Sequence, residues 1–113
     1  MEIEIKKHDP DVIEFTPIGE LDTYTSEDFA EKLANIIDSG TMKVILNFKT
    51  ITYVSSLGIG EIIQGWDRLR TKGGALRFAC MSESVYKVFK LVGLTKRFEI
   101  FPSFEEALQS FQA

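Results

Sequence analysis

The first part of the chain alternates polar and apolar residues and then changes to a helical spacing. Residues 2–6 alternate strictly, and residues 12–18 are rich in β-branched and aromatic side chains. Both patterns predict strands, and the turn-forming residues 8–11 between them predict a hairpin. Gly19 is expected to close the second strand.

A first amphipathic helix is predicted from about Ser26, because apolar residues then recur on one helical face. Thr25 and Asp28 have the spacing of an acidic capping box at its start, and Ser39-Gly40 is a stop signal. The apolar face consists of Phe29, Leu33, Ile36 and Ile37.

The rest of the chain alternates between short apolar runs and helical stripes. The apolar runs predict strands at residues 43–48, 75–80 and 98–101. Three further helices are predicted, one between the serines at 55–56 and Gly73, one from Ser82 to Gly93, and one after Ser103.

The resulting order, β-β-α-β-α-β-α-β-α, predicts an α/β fold as a single domain over residues 1–113. Strands that alternate with helices imply parallel pairs within a mixed β-sheet. We expect the amphipathic helices to pack mainly on one face of that sheet. The strand at 43–48 should be central, and the first strand should lie at an edge.

Composition and charge narrow the class of protein. The chain has 113 residues and a formal net charge of −4, with both signs interspersed, which argues against direct nucleic-acid binding. Cys80 is the single cysteine, so no internal disulfide or Cys/His metal site is expected. Gly58 and Gly60 form no nucleotide-binding motif, and no cofactor is expected. The start lacks a signal-peptide core and no apolar run approaches about 20 residues, so we expect a cytoplasmic protein without membrane insertion.

The most informative segment is residues 53–60, Tyr-Val-Ser-Ser-Leu-Gly-Ile-Gly, between a buried strand and the second helix. Its serines fall at or beside a helix N-terminus, where a serine oxygen can accept a bond from an unpaired backbone N–H. A phosphate there would face free N–H groups and the positive end of the helix dipole. The segment therefore fits either a simple cap or a phosphorylation switch.

This segment resembles the STAS family signature Tyr-Ile-Asp-Ser-Ser-Gly-Leu-Gly, in which the first serine after the aspartate accepts phosphate. Residues 19–22 resemble the family's Gly-x-Leu-Asp turn, and residues 44–48 resemble its central strand. Gly73-Gly74 and the closing segment agree as well, so the resemblance spans almost the whole chain. Alignment by the tyrosine and both glycines places the acceptor at Ser56.

The resemblance implies an anti-sigma factor antagonist, which is a binding switch and not an enzyme. The unphosphorylated form would bind an anti-sigma factor with serine kinase activity, phosphorylation of Ser56 would weaken the complex, and a serine phosphatase would restore it. The implied partner-binding residues are Asp22, Thr23, Tyr24, Ser55, Ser56, Leu57 and Gly58.

Two departures from the family signature leave alternatives open. Ser55 replaces the family's aspartate, which makes Ser55 a second choice for the acceptor, and Leu57 replaces a small residue. The rival function is a STAS scaffold or regulatory subunit of a transport or lipid-trafficking assembly, with Ser56 only a cap. Catalysis has no support, because nothing ties His8 to Ser56 and no Gly-x-Ser-x-Gly motif is present.

Overall fold

A computed structural model describes residues 1–8 and 10–112 of the chain. Its strands are β1 (Glu2–His8), β2 (Val12–Leu21), β3 (Lys43–Asn47), β4 (Ile51–Val54), β5 (Ala75–Ala79) and β6 (Ile100–Phe101). Its helices are α1 (Thr25–Asp38), α2 (Ser56–Thr71), α3 (Glu83–Leu91) and α4 (Phe104–Gln112), with a 3₁₀ turn at Leu94–Lys96. Asp9, in the predicted hairpin turn, lies outside the described residues.

The strands form one mixed sheet in the order β1-β2-β3-β5-β6, with β4 paired to β2 beside this row. Strands β1 and β2 are antiparallel, whereas the β2–β3, β2–β4, β3–β5 and β5–β6 pairs are parallel. The predictions of a central third strand and an edge position for the first strand are therefore confirmed.

Helices cover the two sheet faces unequally, as the sequence predicts. On one face α1, α2 and α3 bury apolar residues such as Phe29, Ile62 and Phe89 against the sheet. On the other face α4 alone covers a small cluster around Ile45 and Ala107. The main core therefore lies on the face covered by α1, α2 and α3. The prediction of helices mainly on one face is confirmed.

Most predicted helix ends agree with the structure. Ser82 caps α3 by accepting a hydrogen bond from the N–H of Val85, and Gly93 ends that helix region with φ 79°. The capping box predicted for α1 is wrong. The Asp28 carboxylate accepts instead from the chain's terminal amine at 2.8 Å, and the Thr25 hydroxyl donates to the carbonyl of Glu20.

Strand β4 was not predicted from the sequence. Gly19, with φ 108°, does not end β2 but lies at a shift in register, after which β2 continues to Leu21 and pairs with β4. A four-residue strand has too little periodicity to be distinguished from a loop. The last strand is shorter than predicted, because Phe98 packs its ring on Phe78 in the core (centroids 4.9 Å apart) before β6 begins.

Candidate functional site

The carboxyl ends of β2 and β4 bring the two predicted site segments together. Leu21 and Val54 are partners in the parallel β2–β4 pair, and each is the last residue of its strand. The N–H of Ser55 then donates to the carbonyl of Leu21 over 2.7 Å. The loop at residues 22–24 and the start of α2 are therefore joined by backbone hydrogen bonding.

Gly58 allows the first turn of α2 to approach β2 and α1 closely. A Cβ atom at this position would lie 3.1 Å from the Leu21 carbonyl oxygen and 3.1 Å from the Ser26 Oγ. Ser26 is fully buried, and its hydroxyl donates to the carbonyl of Asp22. A side chain at residue 58 would push the two segments of the site apart.

The adjacent serines have different environments. Ser55 is the N-cap of α2, and its Oγ accepts from the N–H of Gly58 at 3.1 Å. Ser56 is the first helical residue and is exposed, and its hydroxyl makes no hydrogen bond with any residue that the structure describes. Ser55 therefore supplies the cap, so the alternative role of Ser56 as only a cap is wrong.

The start of α2 is also electrostatically suited to an anion. The N–H groups of Ser56 and Leu57 precede the first intrahelical bond, which runs from Ile59 to Ser55. Such N-terminal donors carry the positive end of the helix dipole. The first turn contains no acidic residue, whereas Arg68 and Arg70 occupy the last turn. The N-terminal partial charge therefore has no compensating side chain within the helix.

The loop at residues 22–24 is shaped by Asp22. One oxygen of its carboxylate accepts from the N–H groups of Tyr24 and Thr25, each at 2.9 Å. The backbone N–H of Thr25 is the main cause that holds the pKa of Asp22 below its ordinary value of 3.8. The Asp22 carboxylate thus satisfies N–H groups at the start of α1 and stays ionised at neutral pH. Thr23 and Tyr24 are exposed.

Large apolar side chains are exposed at this end of the sheet. Tyr24 is 89% exposed, Tyr53 on β4 is 52% exposed, and Leu57 in the first turn of α2 is 45% exposed. Tyr53 was missing from the predicted partner-binding set. Ile51 and Val54 at the two ends of β4 are buried and the two residues between them are exposed, so the exposure of Tyr53 departs from strict alternation along the strand.

His8 lies elsewhere in the fold. It pairs with Val12 at the opposite end of β2 from Leu21, and its Nε2 lies 2.8 Å from the Glu14 carboxylate. Its ring packs against Phe104 of α4, with the centroids 4.7 Å apart. His8 is therefore part of the α4 face and is not a base for either serine.

Substitution of each serine by alanine is expected to separate the two roles. Ser55→Ala removes the cap and should lower the free energy of unfolding by about 0.5–2 kcal/mol. Ser56→Ala removes an exposed hydroxyl without a protein partner and should change it by less than about 0.5 kcal/mol. Urea unfolding of both variants measures the difference, and a larger loss for Ser56→Ala would contradict this assignment of the cap.

Across the part of the chain that the structure describes, no helix has the length and hydrophobicity to cross a membrane. The same residues include no group of three or more His, Cys, Asp or Glu side chains placed to hold a metal ion.

Comparison with known proteins agrees with the fold and the sequence signature. The STAS domain family model matches residues 2–107. The anti-sigma-B factor antagonist of Bacillus subtilis is 26% identical over 108 residues, covering 95% of this chain and 96% of that protein. A Thermotoga maritima structure described as an anti-sigma factor antagonist superposes with a TM-score of 0.94 at 21% identity, covering 98% of this chain and 95% of that one.

A second solved structure is the Bacillus cell fate determinant SpoIIAA in its phosphorylated form. It superposes with a TM-score of 0.76 at 22% identity, covering 97% of this chain and 99% of that one. The family match extends over almost the whole chain, and the Bacillus subtilis relative is an anti-sigma-B factor antagonist. The chain belongs to the STAS domain family and is of the anti-sigma factor antagonist type.

Proposed function

We propose that this protein is a cytoplasmic phosphorylation switch that binds an anti-sigma factor with serine kinase activity. The unphosphorylated form binds the anti-sigma factor, and phosphate on Ser56 weakens that complex. A separate serine phosphatase returns the protein to its binding form. The protein contributes a hydroxyl group as a substrate, and the kinase supplies the chemistry.

The observation that carries this proposal is the exposed hydroxyl of Ser56 beside the capping hydroxyl of Ser55. Phosphate on Ser55 would turn the Oγ that accepts from the N–H of Gly58 at 3.1 Å into an ester oxygen, which is a weaker acceptor, and would crowd this capping contact. Transfer to Ser56 disrupts no hydrogen bond between described residues. The acceptor can therefore change its charge while the fold stays the same.

Electrostatics at the start of α2 favours the phosphorylated state of the domain itself. Phosphate adds about −1.5 to −2 charge near neutral pH. At Ser56 this charge lies at the N-terminus of a helix with no acidic residue in its first turn. Interaction with the helix dipole offsets part of the repulsion from the negative net charge of the chain.

The surface around Ser56 has the composition of a protein-binding surface. Tyr24, Tyr53 and Leu57 are exposed at the same end of the sheet, and tyrosine is enriched in protein interfaces. We define the loop face as Asp22, Thr23, Tyr24, Tyr53 and residues 55–57. Gly58, also in the predicted partner-binding set, is buried beneath this face. A phosphate at Ser56 would place a strongly hydrated group on this face, where a partner must exclude water.

The serine at position 55, where the family signature has aspartate, is compatible with this function. Aspartate and serine are both favoured N-cap residues, since the side-chain oxygen of either accepts from the N–H two or three residues later. Ser55 makes this bond to Gly58. The replacement keeps the cap and removes one negative charge next to the acceptor. The phosphorylated form of the similarly folded SpoIIAA also supports modification of this fold.

Phosphorylation by the cognate anti-sigma factor kinase tests the proposal directly. With ATP, the wild-type protein and the Ser55→Ala variant should each gain one phosphate, and peptide mass spectrometry should place it on Ser56. The Ser56→Ala variant should gain none, because the hydroxyl that remains at Ser55 is engaged by Gly58. Phosphate on Ser55, or no phosphate with a kinase that binds the protein, would overturn the proposal and favour a scaffold role.

A further inference from the structure

The region around α3 has a charge opposite to that of the rest of the chain. Residues 84–97 lie between Glu83, the first residue of α3, and Glu99; they include four basic side chains, at positions 87, 90, 96 and 97, and no acidic one. The chain contains 13 basic and 17 acidic residues in total, so nine basic and 17 acidic residues remain outside this segment. All four basic side chains are exposed. Residues 84–97 therefore have a formal charge of +4, whereas the rest of the chain has a formal charge of −8.

Aliphatic side chains are exposed within the same segment. Leu91 is 86% exposed and Val92 is 55% exposed, and Val88, one turn before Val92, is 38% exposed. The opposite side of α3 is anchored in the core by Val85 and Phe89, which are 3% and 0% exposed. The exposed aliphatic residues therefore belong to a firmly packed helix. We define the α3 patch by its exposed side chains, which are Lys87, Val88, Lys90, Leu91, Val92, Lys96 and Arg97.

The chemistry of the α3 patch differs from that of the loop face. Lysine is depleted in protein interfaces, whereas aromatic residues are enriched there. Leucine and valine are also under-represented among the residues that dominate binding to proteins. Lysines beside exposed aliphatic side chains fit an anionic bilayer, whose headgroups attract cations and whose acyl chains accept leucine and valine.

The ionic contacts of the patch leave its cations available. Lys87 pairs with Glu83 at 3.7 Å in an exposed i,i+4 contact, which contributes little in water. Arg97 lies over the ring of Trp66, with Cζ 5.3 Å from the centroid. Within the described residues, Lys90 and Lys96 form no ion pair. Lys90 and Lys96 are therefore not neutralised by a carboxylate of the described residues, and the exposed Lys87 pair can open toward an external anionic surface.

We propose that the α3 patch binds the surface of an anionic lipid bilayer. Leu91 and Val92 would enter the boundary between headgroups and acyl chains, and the basic side chains would lie among the headgroups. The protein would adsorb to the membrane without spanning it. The negative charge of the rest of the chain would be repelled by the same surface, so binding would select one orientation. This proposal does not depend on the proposed switch.

Co-sedimentation with vesicles tests the proposal without any protein partner. The full chain should bind vesicles of phosphatidylcholine and phosphatidylglycerol, and it should bind pure phosphatidylcholine much less. The double variant Lys87→Gln/Lys90→Gln should bind about 25-fold more weakly, since each cation near an anionic surface contributes about fivefold. Leu91→Ser should also weaken binding, and added salt should weaken binding of the wild-type protein.

The exposed edge strand β1 offers matched controls. Lys6→Gln/Lys7→Gln removes the same charge from exposed positions, and Ile5→Ser changes an aliphatic side chain that is 52% exposed. Both should bind anionic vesicles like the wild-type protein, and thermal melts should confirm that every variant folds. Absence of vesicle binding, or equal losses in the β1 controls, would overturn the proposal. A loss of anti-sigma factor binding in Leu91→Ser with unchanged vesicle binding would instead assign the patch to a protein interface.

Discussion

Phosphate on Ser56 is expected to weaken binding to the anti-sigma factor by at least about 30-fold. In the proposed complex the partner covers the loop face and removes water from around Ser56. Burial of an unpaired charge is unfavourable, and about 2 kcal/mol of that penalty corresponds to about 30-fold in affinity. The penalty falls on the complex alone, because the modified residue lies at a helix N-terminus that tolerates an anion in the free protein.

Calorimetric titration of defined variants separates the effect of charge from the loss of a hydroxyl. Ser56→Ala should bind like the unphosphorylated protein, and Ser56→Asp should bind less tightly, with about half the charge of phosphate. Ser84→Asp is the matched control, because Ser84 is also an exposed serine in the first turn of a helix. Equal affinities for the Ala, Asp and phosphorylated forms would show that Ser56 is not a switch.

The largest loss of stability is expected from Phe89→Ala, by about 3–5 kcal/mol. Phe89 is fully buried and holds α3 on the sheet. Its ring lies 5.9 Å from that of Phe78, 6.2 Å from that of Phe98 and 6.5 Å from that of Phe48, measured between centroids. Removal of the ring would leave a cavity that these neighbours can fill only in part.

Tyr86→Ala provides a control on the same helix. Tyr86 is an aromatic residue that is 39% exposed, so its removal should cost much less than removal of Phe89. Urea unfolding curves for the two variants give the comparison. Similar losses would mean that the phenylalanine cluster does not hold α3 in place.

The elements with clear periodicity were predictable from the sequence, and the irregular ones were not. Helix α1 repeats apolar residues over several turns, and the apolar run of β3 stands out between polar neighbours. Strand β4 has four residues and is defined by pairing with the end of β2, a contact between distant parts of the chain. Gly19 was predicted to end β2, because a β-bulge and a strand end both favour glycine and cannot be distinguished in a short sequence window.

The site was predictable as a segment but not in its details. The serines at 55 and 56 were located by the family signature, and helix periodicity placed them near the start of α2. The assignment of the cap to one of them depends on where α2 begins, and helix boundaries are uncertain by one or two residues in sequence patterns. In the structure the N–H of Gly58 donates to the Oγ of Ser55, which identifies Ser55 and not Ser56 as the cap. Tyr53 was absent from the predicted set because β4 was not predicted, and within β4 its exposure departs from strict alternation with the buried Ile51.

The hydrogen bond from Ser55 to the end of β2 determines the backbone conformation in which Ser56 is presented to a kinase. It fixes the start of α2 to a strand that is distant in sequence, so Ser56 is presented on a helical turn and not on an extended peptide. Under the proposed function, the kinase must then recognise a shape assembled from several parts of the chain. An unfolded molecule does not present that shape, so the kinase would not phosphorylate it. Under this proposed function, the same contact would restrict phosphorylation to folded molecules.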